Sequence, residues 1–205
     1  MIRIHRIVSW TRAEGPGLRL AVWVQGCRAA CPGCYATALW DERGGQEITV
    51  EQLCREITAA DGIEGITLLG GEPFLQAAAL AEAAAFAQAR GLSVITFTGQ
   101  VYERLLASED SGVQALLRHT DVLIDGPYRE ELRDFSRPLV GSSNQRFLFL
   151  TGRYTPEDMA ACRNSVELRI GKDGILRANG MGDFIRLQQI LQQNRGEKTH
   201  GVFKI

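Results

Sequence analysis

Three of the five cysteines lie within eight residues of one another, in the segment VQGCRAACPGCY (24–35), called the cysteine loop below. Cys27, Cys31 and Cys34 follow the spacing C-x3-C-x2-C, and two glycines and a proline stand beside them. Thiolates favour zinc or iron–sulfur clusters. Glycine lets a backbone wrap closely around an inorganic core. The loop therefore indicates a metal centre.

This donor set is incomplete for a structural zinc ion, which takes four protein ligands, usually in two pairs. Cys54 lies in a predicted helix, and Cys162 lies far along the chain. A cubane iron–sulfur cluster held by three thiolates keeps one iron open, so we expect a substrate or cofactor as the missing ligand. Two alternatives stay open: three reduced cysteines without a ligand, and a zinc site completed by His5, His119 or Cys54.

The composition indicates one globular domain with an ample core. The chain has 205 residues, of which 45% are hydrophobic and 23% charged, and its formal net charge is −1. No run of Lys and Arg predicts a nucleic-acid or membrane surface. The segment MIRIHRIVSW is too polar for a signal peptide, and no apolar run could span a bilayer. We therefore expect a cytoplasmic protein, where reduced cysteines favour metal binding over disulfides.

Strand and helix patterns alternate in the sequence, which predicts βαβ units and a mainly parallel sheet. The carboxyl ends of such strands meet at one edge, where ligands bind. Here those ends read QGC, GGEP, FTG and DGPY. Strands are predicted at 18–26, 65–71, 92–99, 120–126 and 146–152; helices are predicted at 49–60 with a Thr49 cap, at 75–90 before Gly91, and from about Val101.

The remaining segment has a different pattern. SVELRIGKDGILRANG (165–180) predicts a hairpin around a Lys-Asp-Gly turn, and DFIRLQQILQQ (183–193) predicts an amphipathic helix. We therefore divide the chain into an α/β domain, residues 1–154, and a C-terminal appendage, residues 155–205, packed on it. We expect the appendage to serve the fold or a partner and to contribute no cofactor contact.

Several motifs in order resemble the radical S-adenosylmethionine (SAM) enzymes. The segment EGPGLRLAVWVQGCRAACPGCYATALW (14–40) looks like the activating enzymes of anaerobic ribonucleotide reductase, and LLGGEPF, TFTG, LIDGPY and GSSNQR follow in that family's order. The resemblance covers roughly residues 1–150 and implies an incomplete parallel (β/α) barrel. Ala36, where related activators often carry a polar residue, and the long appendage depart from the pattern and bear on the partner more than on the chemistry.

The resemblance also implies roles for individual residues. Cys27, Cys31 and Cys34 would ligate a [4Fe-4S] cluster, whose fourth iron SAM would chelate. The strand-end motif at Gly70, Gly71, Glu72 and Pro73 would hold the SAM amino group, and Gly71→Val should then weaken SAM binding while the cluster still assembles. Further SAM contacts are expected from Thr98, Tyr35, Asn144 and Arg146, and Asp125 would bind a cation, contact a partner or cap a turn.

The function implied is reductive cleavage of SAM to a 5′-deoxyadenosyl radical, which would abstract hydrogen from a glycine of a partner glycyl radical enzyme. Flavodoxin or ferredoxin would supply the electron. Two other readings stay open. One is a small radical SAM enzyme with a different substrate, and the other is a non-catalytic iron–sulfur or zinc module that mediates assembly.

Overall fold

The structure is a computed structural model. It describes residues 1–182, 187 and 189–190, and the main chain of 203–204. Its main sheet has seven strands in the order β3-β1-β2-β4-β5-β6-β7. None of the helices in the described ranges combines the length and the apolar character needed to cross a membrane. The strands of the main sheet are β1 (Ile2–Thr11), β2 (Arg19–Val24), β3 (Gln46–Ile48), β4 (Gly65–Gly70), β5 (Ser93–Phe97), β6 (Val122–Asp125) and β7 (Arg146–Phe149).

The sheet is mixed, with a parallel centre. Strands β2, β4, β5 and β6 run parallel, as predicted. Strand β7 also forms where predicted, but it pairs antiparallel with β6, so the expected parallel series ends there. The sequence reading missed β1 and β3, which add two antiparallel strands at the other edge. β3 and β7 are separate edges, so the fold is α/β with an open sheet in the described residues.

Helices cover the apolar sheet, and their caps follow from the sequence. The α1 helix (Val50–Ala59) begins at Thr49, whose side chain forms a capping box with Gln52, as the sequence predicts. The α2 helix (Ala77–Gln88) ends before Gly91, which adopts a positive φ of 77°. Two short helices follow instead of one: α3 (Tyr102–Leu106) and α4 (Ser111–Arg118).

A buried arginine fixes the register of the three central strands. The guanidinium of Arg19 at the start of β2 is fully buried; it donates to the Thr67 hydroxyl at 2.7 Å and to the Ile66 carbonyl at 2.6 Å. It also donates to the hydroxyl groups of Ser93 and Tyr154. Because burial of an unpaired charge is costly, these bonds hold β2, β4 and β5 together.

The predicted hairpin is present in the appendage. After α5 (Pro156–Ala160), β8 (Val166–Ile170) pairs antiparallel with β9 (Leu176–Gly180), and β10 (Phe203–Lys204) pairs parallel with β9. The predicted amphipathic helix at 183–193 lies outside the described residues except for 187, 189 and 190. The division of the chain at residue 154 stays a prediction.

Candidate active site at the cysteine loop

The cysteine loop begins where β2 ends, because Gly26 turns the chain with a positive φ of 96°. Two backbone bonds hold this turn against the segment after the loop. The Gly26 N–H donates to the Leu39 carbonyl at 2.8 Å, and the Cys27 N–H donates to the Trp40 carbonyl at 3.2 Å. The loop is therefore tied at both of its ends, and its cysteines are presented at the carboxyl edge of the parallel strands.

Cys27, Cys31 and Cys34 line a single cavity of about 320 Å³. This volume is within the range of small-molecule sites. The same cavity is lined by the ends of two neighbouring strands, including Gly70, Gly71, Thr98 and Gly99. The predicted convergence of the strand-end motifs on one mouth is thus observed, and aromatic side chains form much of the remaining wall: Trp23, Tyr35, Trp40, Phe97, Tyr128 and Phe135.

The chemistry of this donor set fits a [4Fe-4S] cluster with one open iron. Burial raises the pKa of the Cys27 and Cys31 thiols above the usual value, so binding of iron has to displace their protons. No three His, Cys, Asp or Glu side chains of the described residues are grouped as one metal ion would need. In a cubane each thiolate binds a different iron atom, so the three sulfurs need not converge on a single point.

Two of the three candidates for the fourth ligand of a zinc site lie outside the described cavity lining. His119 follows α4, and its Nδ1 shares a hydrogen bond of 2.8 Å with Oε1 of Gln88. Cys54 lies within α1, outside the cavity lining. His5 does line the cavity, and its Nδ1 shares a hydrogen bond with Oε1 of Gln25. His5 thus shares the cavity with the cysteines, but no three donors of the described residues are grouped as a single zinc ion would need.

Glu72 joins the GGEP and TFTG motifs into one unit. Its buried carboxylate accepts hydrogen bonds from the Phe74 N–H at 3.0 Å, the Thr98 hydroxyl at 2.9 Å and the Gly99 N–H at 2.9 Å. Burial raises the pKa of Glu72 despite these donors. Pro73 begins the short 3-10 helix that follows. Glu72 and Pro73 thus shape the strand ends, while Gly70, Gly71 and Thr98 line the cavity.

Tyr35 lies at the rim of the cavity. Its side chain is 40% exposed, and the Arg133 guanidinium lies 6.0 Å from the centre of its ring. The ring is therefore available to a planar ligand such as adenine. Its contact with SAM stays a prediction.

Asp125, Asn144 and Arg146 form a second polar group beside the site. The fully buried Asp125 carboxylate accepts from the Tyr102 N–H at 2.7 Å and pairs with the guanidinium of Arg146, which also pairs with Glu103. Three roles were predicted for Asp125, and the capping of a turn is the one that matches these contacts. Asn144 donates to the Pro127 carbonyl at 2.8 Å, and its buried Oδ1 has no hydrogen-bond partner in the described part of the chain. Among the described residues the cavity lining includes Gln145 and neither Asn144 nor Arg146.

Two charged side chains in the lining were not predicted. Arg6 on β1 lies over the Trp23 ring, with its guanidinium carbon 4.2 Å from the ring centre. Glu14 is 6% exposed and is the one carboxylate among the described lining residues. Glu14 directly precedes the Gly-Pro-Gly segment, and this position is the one sequence signal that could have identified it as a residue of the site. Arg6 comes from a strand that the sequence reading missed altogether.

The appendage also reaches the cavity, and its expected lack of a cofactor contact stays a prediction. The cavity lining includes Ala178, Asn179 and Gly180 at the end of β9, and Met181 directly after that strand. The Asn179 amide donates to Oε1 of Glu14 at 3.0 Å. The hairpin therefore forms part of the wall that holds the buried carboxylate.

Glu14 should make the stability of the protein depend on pH. Burial raises its pKa from 4.5 to about 7, although Asn179 and Arg6 act to lower it. Since the folded-state pKa is the higher one, this stabilising term is complete below about pH 4.5 and is lost as pH rises through about 7. The loss should be roughly 3 kcal/mol of unfolding free energy. Urea unfolding at several pH values should show a flatter profile for Glu14→Gln; equal profiles would contradict this assignment.

Comparison with known proteins agrees with this geometry. Residues 13–148 match the family model described as a 4Fe-4S single cluster domain. The chain is 32% identical to the pyruvate formate-lyase 1-activating enzyme of Escherichia coli (strain K12) over 154 residues, which is 71% of this chain and 59% of that protein. The matched part of the chain thus spans less than two thirds of that relative.

Two shorter relatives are covered almost completely. The anaerobic ribonucleoside-triphosphate reductase-activating protein of Enterobacteria phage T4 is 31% identical over 69% of this chain and 90% of its own length. The protein of the same name from Salmonella typhimurium (strain LT2) is 30% identical over 70% of this chain and 96% of its own length. These matches imply a [4Fe-4S] cluster and SAM as cofactors. The chain belongs to the 4Fe-4S single cluster domain family and, within it, to the radical SAM activating proteins.

Proposed function

We propose that this chain is a radical SAM enzyme that installs a glycyl radical on a partner enzyme. The observation that carries the proposal is the meeting of three cysteines with two glycine-rich strand ends in one cavity. Its relatives are named as activating proteins for pyruvate formate-lyase and anaerobic ribonucleoside-triphosphate reductase. Cys27, Cys31 and Cys34 would hold the cluster, which would supply one electron for the reductive cleavage of SAM into methionine and a 5′-deoxyadenosyl radical, and this radical would take a hydrogen atom from the substrate.

The protein side of this function is positioning and exclusion of water. Cys27, Cys31 and Cys34 would hold three irons of the cluster, and the fourth iron would stay available to SAM. Gly70 and Gly71 let the main chain come close to the SAM amino group, for which carbonyl oxygens are natural acceptors. Aromatic side chains around the cavity limit the access of water to the reacting atoms.

Further cofactor contacts belong to the same proposal. Thr98 would offer its hydroxyl to the ribose or carboxylate of SAM, although in the structure that hydroxyl donates to Glu72. Tyr35 would pack on the adenine. Asn144 and Arg146 would act beside the Gly126 turn, where the Asn144 amide nitrogen already contacts Pro127. The Glu72 and Pro73 side chains would serve by holding the strand ends in place.

We also propose the surroundings in which this chain works. The four parallel strands would be the core of an incomplete barrel of the radical SAM type, with an open side for a polypeptide. The electron would come from flavodoxin or ferredoxin, and the protein would work in the cytoplasm without nucleic acid or membrane. A small radical SAM enzyme with another substrate is the second candidate, because the appendage lines the cavity.

The test is anaerobic purification followed by two assays. We expect a brown protein with close to four irons per chain that forms 5′-deoxyadenosine from SAM and dithionite. Addition of a glycyl radical enzyme from the same cell should then give a glycyl radical signal in electron paramagnetic resonance. A colourless zinc protein without SAM cleavage would contradict the proposal. Cleavage without a glycyl radical on such a partner would favour the second candidate.

A further inference from the structure

The C-terminal hairpin (165–180) lies beyond residues 13–148, which carry the match to the cluster domain. It nevertheless packs closely on the segment before β2. A Cβ atom at Gly180 would lie 2.9 Å from Cβ of Ala13, and Gly180 has a positive φ of 111°. Only a residue without a side chain allows this approach, so the end of β9 is fitted to the α/β domain.

Polar contacts between the hairpin and this segment are buried. Asn179 is 2% exposed, and its amide nitrogen donates to the Thr11 hydroxyl and to Oε1 of Glu14, both at 3.0 Å. The Asn179 oxygen accepts from the guanidinium of Arg169 on β8. The side chain therefore has its donor and acceptor sides both occupied, which fixes its orientation.

Two charged groups of the cavity wall depend on the hairpin. Glu14 accepts from the Asn179 amide and from the backbone of Gly180. Arg6 donates to the Ala178 carbonyl at 2.9 Å, and its buried Nε has no partner among the described residues. These groups line the cavity that holds the three cysteines. The hairpin thus orients the charged part of the site as well as enclosing it.

We propose that the C-terminal hairpin is a wall of the active site and that Asn179 is the positioning residue that holds Glu14 towards the cavity. This rests on the proposed function only for the identity of the cofactor. The segment after Gly180 carries Met181, whose methyl carbon also faces Gly141. Because Met181 belongs to the cavity lining, this wall contributes to the selection of the substrate.

The wall can be tested with methyl-labelled methionine. The chain has three methionines, of which Met181 lines the cavity, Met159 is buried in a separate core cluster and Met1 is exposed. We expect SAM, added without reductant to the cluster-loaded chain, to shift the Met181 methyl signal and leave Met159 unchanged. If calorimetry verifies SAM binding and the Met181 signal is unchanged at saturation, the proposal that the hairpin is a wall of the active site is wrong. Absence of SAM binding would overturn the proposed function, and the next experiment would still decide the role of Asn179.

The positioning role of Asn179 is tested by a pH titration of the Glu14 carboxyl, followed through its carbon-13 NMR signal. The signal is assigned by its absence in Glu14→Gln. Asn179→Asp keeps the shape and the Arg169 partner but replaces the donor by a second carboxylate. Loss of the hydrogen bond and like-charge repulsion should together raise the midpoint from about 7 by about one pH unit or more. Asn179→Leu should raise it as well. Ile170→Thr, which changes a residue of the same hairpin that is 79% exposed, should leave the midpoint unchanged. An unmoved midpoint in both Asn179 variants would overturn the proposal.

Discussion

Cys31→Ala is expected to lose the iron–sulfur cluster and to reduce 5′-deoxyadenosine formation to background. Three thiolates are the whole protein donor set of the proposed cluster, because the fourth iron is reserved for SAM. Loss of one thiolate exposes a second iron, and a cubane with two protein ligands is not retained. Iron and sulfide content, the visible spectrum and the SAM cleavage rate should be measured on one anaerobic preparation. Cys27→Ala and Cys34→Ala should behave in the same way.

The two remaining cysteines supply matched controls. Cys54 lies on α1, and Cys162 follows α5 with its sulfur 3.6 Å from the Asp158 carbonyl. Neither lines the cavity, so Cys54→Ala and Cys162→Ala should keep cluster content and cleavage. A cluster that survives in Cys31→Ala, or that disappears in Cys162→Ala, would contradict the ligand assignment.

Gly71→Ala should impair cluster assembly and SAM binding together. A Cβ atom at Gly71 would lie 2.2 Å from the carbonyl oxygen of Gly26, which directly precedes Cys27. The same carbonyl accepts from the Glu72 N–H at 2.8 Å, and the Gly71 N–H donates to Val24 at 2.9 Å. One methyl group therefore has to separate the GGEP turn from the root of the cysteine loop, at a cost of about 1–3 kcal/mol.

This expectation replaces the one drawn from the sequence, in which a larger residue at Gly71 weakens SAM binding alone. Gly152→Ala is the control, because no atom of the residues that the structure describes lies within 4 Å of its added Cβ, and its φ is not positive. Iron content and SAM affinity should be measured for both variants, together with urea unfolding. A Gly71→Ala protein with full cluster content and unchanged SAM affinity would show that the loop root tolerates the displacement.

Several features of the fold and of the site can be predicted from the sequence alone, because the patterns that indicate them are local. The spacing of Cys27, Cys31 and Cys34 confines three thiolates to one loop whatever surrounds it. The Thr49 cap, the four parallel strands and the β8–β9 hairpin follow from patterns within about ten residues. Since parallel strands present their carboxyl ends at one edge, the convergence of QGC, GGEP and FTG followed as well.

Only the tertiary structure could decide which distant groups meet. The SAM contacts of Glu72 and Thr98 stay a prediction, but the hydrogen bond that the Thr98 hydroxyl donates to the Glu72 carboxylate is visible only in the tertiary structure. The Gly71–Gly26 approach depends on the pairing of β4 with β2, which no local pattern encodes. The same is true of Glu14 and Asn179, which lie 165 positions apart. Their hydrogen bond forms because a buried carboxylate and a buried amide each need a hydrogen-bond partner. The sequence alone does not say which residue that partner will be.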